Sequence, residues 1–100
     1  WIGLMLIHIV VWKYRDDVDE AAQSSHVNSL KALSGLVPGM VRFEVGTDIL
    51  NLERSYDTGL ASAFEDREAL DSYTDHPEHQ KVANMGKQIS QHVASVDFYV

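Results

Sequence analysis

The sequence predicts an α+β domain with the element order β-α-β-β-α-β, in which two helices cover one face of a four-stranded antiparallel sheet. Three observations lead there. Residues 6–14 (LIHIVVWKY) are rich in β-branched and aromatic side chains, which marks a strand. Residues 41–45 (VRFEV) alternate strictly between apolar and charged types, which marks a strand with one buried and one wet face. Two stretches of helical spacing lie between strands, one in each half of the chain. This order is the ferredoxin-like arrangement.

The elements follow in turn. After the first strand, Asp17-Val-Asp-Glu20 has the form of a capping box. Val18, Ala22, Leu30, Leu33 and Val37 then recur at roughly helical spacing, so a helix is expected over about 18–35, ending near Gly35. His26, Asn28 and Lys31 fall off that stripe and read as solvated. Pro38-Gly39 signals a turn before the second strand. Residues 51–55 are polar and read as a loop, and 57–64 form the third strand, with Gly59, Ala61 and Ala63 opposite Leu60 and Phe64. Asp66 caps a short helix to about Tyr73, and His76-Pro77 restarts it, proline being suited to the first helical position. Val82, Met85 and Ile89 carry that helix to about His92, whose charge the helix dipole favours, and 93–100 form the fourth strand.

Composition narrows the function classes. A chain of 100 residues fits one domain and not two. Fifteen acidic against eight basic residues, a net charge of -7, exclude nucleic acid as the main partner, because phosphate binding needs clustered Lys and Arg. The absence of cysteine removes disulfides and thiolate metal sites and suits a cytoplasmic location. The apolar start is broken by Gly3 and His8 and is shorter than the ~20 residues of a spanning helix, so no membrane partner is expected. Met5 reads as a natural start, which makes 5–100 the domain and 1–4 an N-terminal extension.

The first strand also speaks about partners. Leu6, Val10 and Trp12 lie on one side and Ile7, Ile9 and Val11 on the other, so both faces are apolar. Leaving the second set in water forfeits roughly 1.5–3 kcal/mol per residue. A second sheet packed on the first removes that cost, and a homodimer is expected.

Candidate chemistry gathers at two places. His8 sits within the apolar strand, on the side of Leu6, Val10 and Trp12, and its ring needs a hydrogen-bond partner there. Tyr73-Thr-Asp-His76-Pro-Glu-His79 puts a phenol and two imidazoles around a helix restart, where backbone N–H groups are unpaired. A neutral imidazole is a suitable general base near pH 7, and a phenol can donate to a developing oxyanion. A plain helix start with His76 as its cap explains the same residues. His76 and His79, with Asp75, Glu78 and His8 nearby, form a weak metal pattern without a thiolate, and no metal or other cofactor is expected.

The strand His8-Ile-Val-Val-Trp-Lys-Tyr14, Val37-Pro-Gly39 with Phe43-Glu-Val-Gly46, Phe64 nine residues before Tyr73, and His76-Pro-Glu-His79 together resemble the stress-responsive dimeric α/β-barrel (Dabb) family. The resemblance implies two protomers whose sheets face each other as a barrel. It implies few assured activities, the family including plant stress proteins and a polyketide cyclase that closes its substrate by aldol condensation without a cofactor. In that cyclase pattern the last histidine of the HP-x-H element is the base and the upstream tyrosine holds the substrate, positions matched by His79 and Tyr73. The strand histidine matched by His8 lines the same cavity. Where the cyclase carries a further histidine, six residues before the phenylalanine, this chain has Thr58. Two functions are therefore expected to compete: a stress-responsive homodimer binding an apolar small molecule in a pocket of His8, Tyr73 and His79, and a cofactor-free lyase or isomerase using His79 as base.

Overall fold

The computed structural model describes residues 4–100, so residues 1–3 of the expected N-terminal extension lie outside it. Strand β1 (Leu6–Tyr14) leads into helix α1 (Glu20–Lys31), then strands β2 (Met40–Thr47) and β3 (Thr58–Phe64). Helices α2 (Arg67–Asp75) and α3 (Pro77–Ile89) follow, and strand β4 (Ser90–Tyr99) closes the chain. The sheet order is β2-β3-β1-β4 with every neighbour antiparallel, so the ferredoxin-like expectation holds, its second helix divided in two at His76. Among the described residues, no helix is long and apolar enough to cross a membrane.

Strand register sorts side chains between the two faces. His8 stands opposite Ser62 on β3 and Asp97 on β4, and Trp12 opposite Thr58 and Val93. Because successive side chains alternate, Leu6, His8, Val10, Trp12 and Tyr14 all face the helices. They pack there with Leu30, Leu33, Leu60, Phe64, Leu70, Tyr73 and Val82 around the core. Ile7, Ile9 and Val11 line the opposite face with Ala61, Ala63, Val96 and Phe98.

Several sequence expectations change at the element ends. The cap of α1 is Asp19, whose carboxylate accepts the Ala22 N–H at 2.8 Å, and not Asp17. Asp17 is held instead by Arg15 in a turn closed by Val18 N–H to Arg15 C=O. Helix α1 stops at Lys31, and the chain turns through Gly35, whose φ of +75° falls in the region that glycine adopts without strain. A bulge between Met40 and Arg42 turns Val41 outward, leaving it 56% exposed, although simple alternation puts it with Phe43 and Val45. At the other end, α3 stops at Ile89, so His92 belongs to β4 opposite Lys13; it is exposed, but on a strand. Asp66 does cap α2, accepting the Ala69 N–H at 2.8 Å.

His26 is the largest correction. Expected on the solvated side of α1, it is fully buried. The Tyr14 hydroxyl sits between His26 Nδ1 at 2.8 Å and Thr58 Oγ1 at 2.7 Å, and Trp12 meets the imidazole edge-on. The signal was present, since His26 lies four residues after Ala22 and four before Leu30, on the buried stripe itself. On its far side His26 Nε2 has no partner among the described residues and abuts α3 at Gly86, where an added Cβ would meet it at 2.8 Å and Trp12 Nε1 at 2.9 Å. Only glycine lets α3 approach this closely.

Burial pulls the His26 pKa down to about 4. The folded state therefore holds it neutral, and the associated stability is complete above the unfolded-chain value near ~6.5 and is lost as pH falls toward 4. Urea unfolding at pH 7 and pH 4.5 should show His26→Gln losing about 2 kcal/mol less stability over that interval than the parent chain. Equal losses in both proteins would contradict the assignment.

Candidate functional site

The site is built where the α2–α3 break meets the centre of the sheet. Asp75 ends α2, and His76 adopts an extended backbone between the helices. Its Nδ1 accepts the Glu78 N–H at 3.1 Å, with Pro77 following at the first helical position. His76 is thus a cap and does not line the cavity beneath. The break matters because it lets Tyr73, in the last turn of α2, and His79, in the first of α3, face one space from two directions.

That space is a cavity of about 180 Å³, walled by His8, Val10 and Trp12 of β1, Leu60 of β3, Tyr73 of α2, and Val93 and Ser95 of β4. Leu30 of α1, with His79, Ala83 and Lys87 of α3, completes it. All three residues singled out from the sequence, His8, Tyr73 and His79, reach it. The Tyr73 and His79 rings are 4.4 Å apart between centroids, and the His8 and Tyr73 rings 6.3 Å. Phe64 and Phe43 press the tyrosine from other sides, at 5.4 and 5.9 Å, and hold it in one orientation.

Each polar group has a defined protonation chemistry. Tyr73 is 1% exposed, and burial pushes its pKa well above the ordinary phenol value, so it stays a neutral hydrogen-bond donor. Burial also lowers the His79 pKa, opposed by its hydrogen bond to a backbone carbonyl. His79 Nδ1 donates to the Thr74 carbonyl at 3.0 Å, which leaves Nε2 of the neutral ring with its lone pair. His8 Nδ1 is paired with the Asp97 carboxylate directly across from it on β4, an arrangement that fixes the same tautomer.

Sequence reasoning missed Asp97. No local motif marks it; only the pairing of β1 with β4, 89 residues apart, brings it to His8. Lys87 and Ser95 were missed for the same reason. Thr58 stands apart from this cavity and is committed to Tyr14. Among the described residues, no group of three or more histidine, aspartate or glutamate side chains is placed to hold a metal ion.

The fold is that of a small ferredoxin-like α+β domain, and comparison with known proteins agrees. The chain belongs to the stress responsive A/B barrel domain family, whose model matches residues 6–100. It is 33% identical over 78 residues to an uncharacterised protein of Streptomyces coelicolor, covering 76% of this chain and 80% of that one. It is 28% identical over 74 residues to the olivetolic acid cyclase of Cannabis sativa, covering 72% and 73%. A dimeric protein of unknown function with a ferredoxin-like fold from Bacteroides fragilis superposes with a TM-score of 0.82 at 27% identity, over 96% of both chains.

Long-range ¹H–¹⁵N spectra of the imidazoles should find His79 in the Nδ1–H form near pH 7.5 and titrating below ~6.5. Asp97→Asn should release His8 to a mixture of tautomers and leave His79 unchanged. A predominant Nε2–H form of His79 in the parent protein would show that the Thr74 bond does not set its chemistry.

Proposed function

We propose that the protein is a stress-responsive homodimeric domain that takes up one small, largely apolar molecule in the cavity of His8, Tyr73 and His79. The observation that carries the reading is a buried phenol that lines, with His8 and His79, a cavity floored by Val10, Trp12, Leu30 and Leu60. A hydroxyl on that wall can donate to a ligand oxygen, a contact worth about 0.5–1.5 kcal/mol. The size agrees, because an apolar protein cavity of ~150 Å³ accommodates benzene.

The dimer rests on the second face of the sheet. Val96 and Phe98 are 52% and 41% exposed there, beside Ile7, Ile9 and Val11. A contiguous apolar surface of this kind favours burial against a like surface. The dimeric Bacteroides fragilis protein of the same fold supports a second copy as the occupant. A cysteine-free chain has no need of an oxidising compartment, which supports a cytoplasmic location.

Sedimentation should return a dimer, and Val96→Asp a folded monomer, judged by unchanged far-ultraviolet circular dichroism. Cyclohexanone, a ring bearing one acceptor, should perturb the amides of Tyr73 and His79 in ¹H–¹⁵N spectra. Tyr73→Phe should weaken its binding about fivefold, as expected for one hydrogen bond. No perturbation by cyclohexanone, or a monomeric parent protein, would count against the reading.

A second reading is favoured by the His79 tautomer. With Nδ1 held by Thr74, Nε2 is free to act as a base, the His79 and Tyr73 rings stand 4.4 Å apart between centroids, and the chain resembles the olivetolic acid cyclase. In a polyketide-cyclase-like lyase or isomerase, His79 would remove a proton next to a carbonyl while Tyr73 donates to its oxygen. A positioned base contributes on the order of 10²–10⁴-fold. Exchange of cyclohexanone α-hydrogens in D₂O, accelerated by the parent protein and not by His79→Ala, would select this reading over simple binding.

A further inference from the structure

We infer that the molecule taken up by this cavity carries a carboxylate or equivalent anionic oxygen group on a ring-sized apolar body, and that Lys87 receives the anion at the mouth. The inference rests on the pocket reading above and names the chemical class of its ligand.

The argument begins with charge. The chain holds fifteen carboxylate side chains against eight cations, so most surfaces repel an anion. Four other cavities illustrate this. Each has at least one carboxylate in its wall: Glu20 in one, Asp71 with Asp97 in the next, Glu44 in a third and Asp48 in a fourth. The cavity of Tyr73 and His79 has none, and it has a lysine. Asp97 lies outside this wall, where its pairing with His8 already occupies it.

Lys87 is an available cation. Lys13, Arg15, Arg42, Arg67 and Lys81 each pair with a carboxylate, whereas Lys87 pairs with none among the described residues. The dipole of α3 favours a cation in this last turn, which accounts for Lys87 but not for a wall free of acids.

Placement separates the two halves of the ligand. Lys87 is exposed, as are Val93 (46%) and Ser95 on the β4 side of the opening, while Tyr73, Trp12, Leu30 and Leu60 are deeply buried. A ring fits among the buried residues. Its anionic group then stays at the rim, where Lys87 and the Ser95 hydroxyl can donate to it. This arrangement gains a charge-assisted contact without taking two ions out of water.

The test is a titration of the parent protein with phenylacetate and its neutral isostere phenylacetamide at low ionic strength, followed through the amides of Tyr73, His79 and Ser95. Phenylacetate should bind more tightly. Lys87→Met should weaken phenylacetate roughly five- to tenfold and leave phenylacetamide within about twofold, and Lys87→Arg should restore most of the difference. Raising the salt to ~0.5 M should weaken phenylacetate alone. Equal binding of the two compounds, unmoved by Lys87→Met, overturns the anion inference while the pocket survives. If neither compound perturbs these amides, both the pocket and the inference fall.

Discussion

The two-residue alternation of β1, at the centre of the sheet, is the constraint on which the rest of the molecule depends. It delivers Leu6, His8, Val10, Trp12 and Tyr14 to the helices and Ile7, Ile9 and Val11 to the opposite face. A slip of one residue would exchange the sets, moving His8 and Tyr14 out of the core and three aliphatic side chains into it. Both polar residues on the helix side are affordable because a partner waits at each: Asp97 across the ladder for His8, and His26 with Thr58 for Tyr14. The cavity and its neighbouring network are thus consequences of one register.

Trp12 divides that face into two regions with opposite uses for histidine. On one side the indole meets His26, sealed between α1, β1 and α3, where no molecule can enter. On the other it walls the cavity of His8, Tyr73 and His79. Burial lowers the pKa of both His26 and His79, yet only His79 combines that with a backbone acceptor and an adjoining void. A perturbed imidazole is therefore a sealed packing group in the first region and, in the function proposed above, the group that meets a ligand in the second. Accessibility, not the shift, separates them.

Much of this was legible from the chain. The strands of 6–14, 41–45 and 57–64 stand within a residue or two of their observed ends, because alternation and β-branching act locally. The break at His76-Pro77 was equally plain, since proline fixes its own backbone angle and ends the preceding turn. His8, Tyr73 and His79 were identifiable as candidates, and the structure gathers them around one space. The spacing of His26 places it on the buried stripe of α1, while its polar ring suggests the surface; the Tyr14 hydroxyl beneath it is what makes burial tolerable. Val41 was misjudged because a bulge leaves no mark on a five-residue alternation. Asp97 and Lys87 carried no signal at all, sitting in unremarkable stretches of strand and helix.

The sequence by itself determined the element order, the doubly apolar central strand, the acidic balance and the split second helix, all set by interactions among residues close in the chain. Only the tertiary structure decided which polar groups meet. The Asp97 carboxylate reaches His8 across 89 positions, the Tyr14 hydroxyl reaches Thr58 across 44, and the α2–α3 break brings Tyr73 over His8. Such contacts arise from strand order and register, which depend on the whole chain packing at once. Periodicity says which face a side chain takes; the fold says what it finds there.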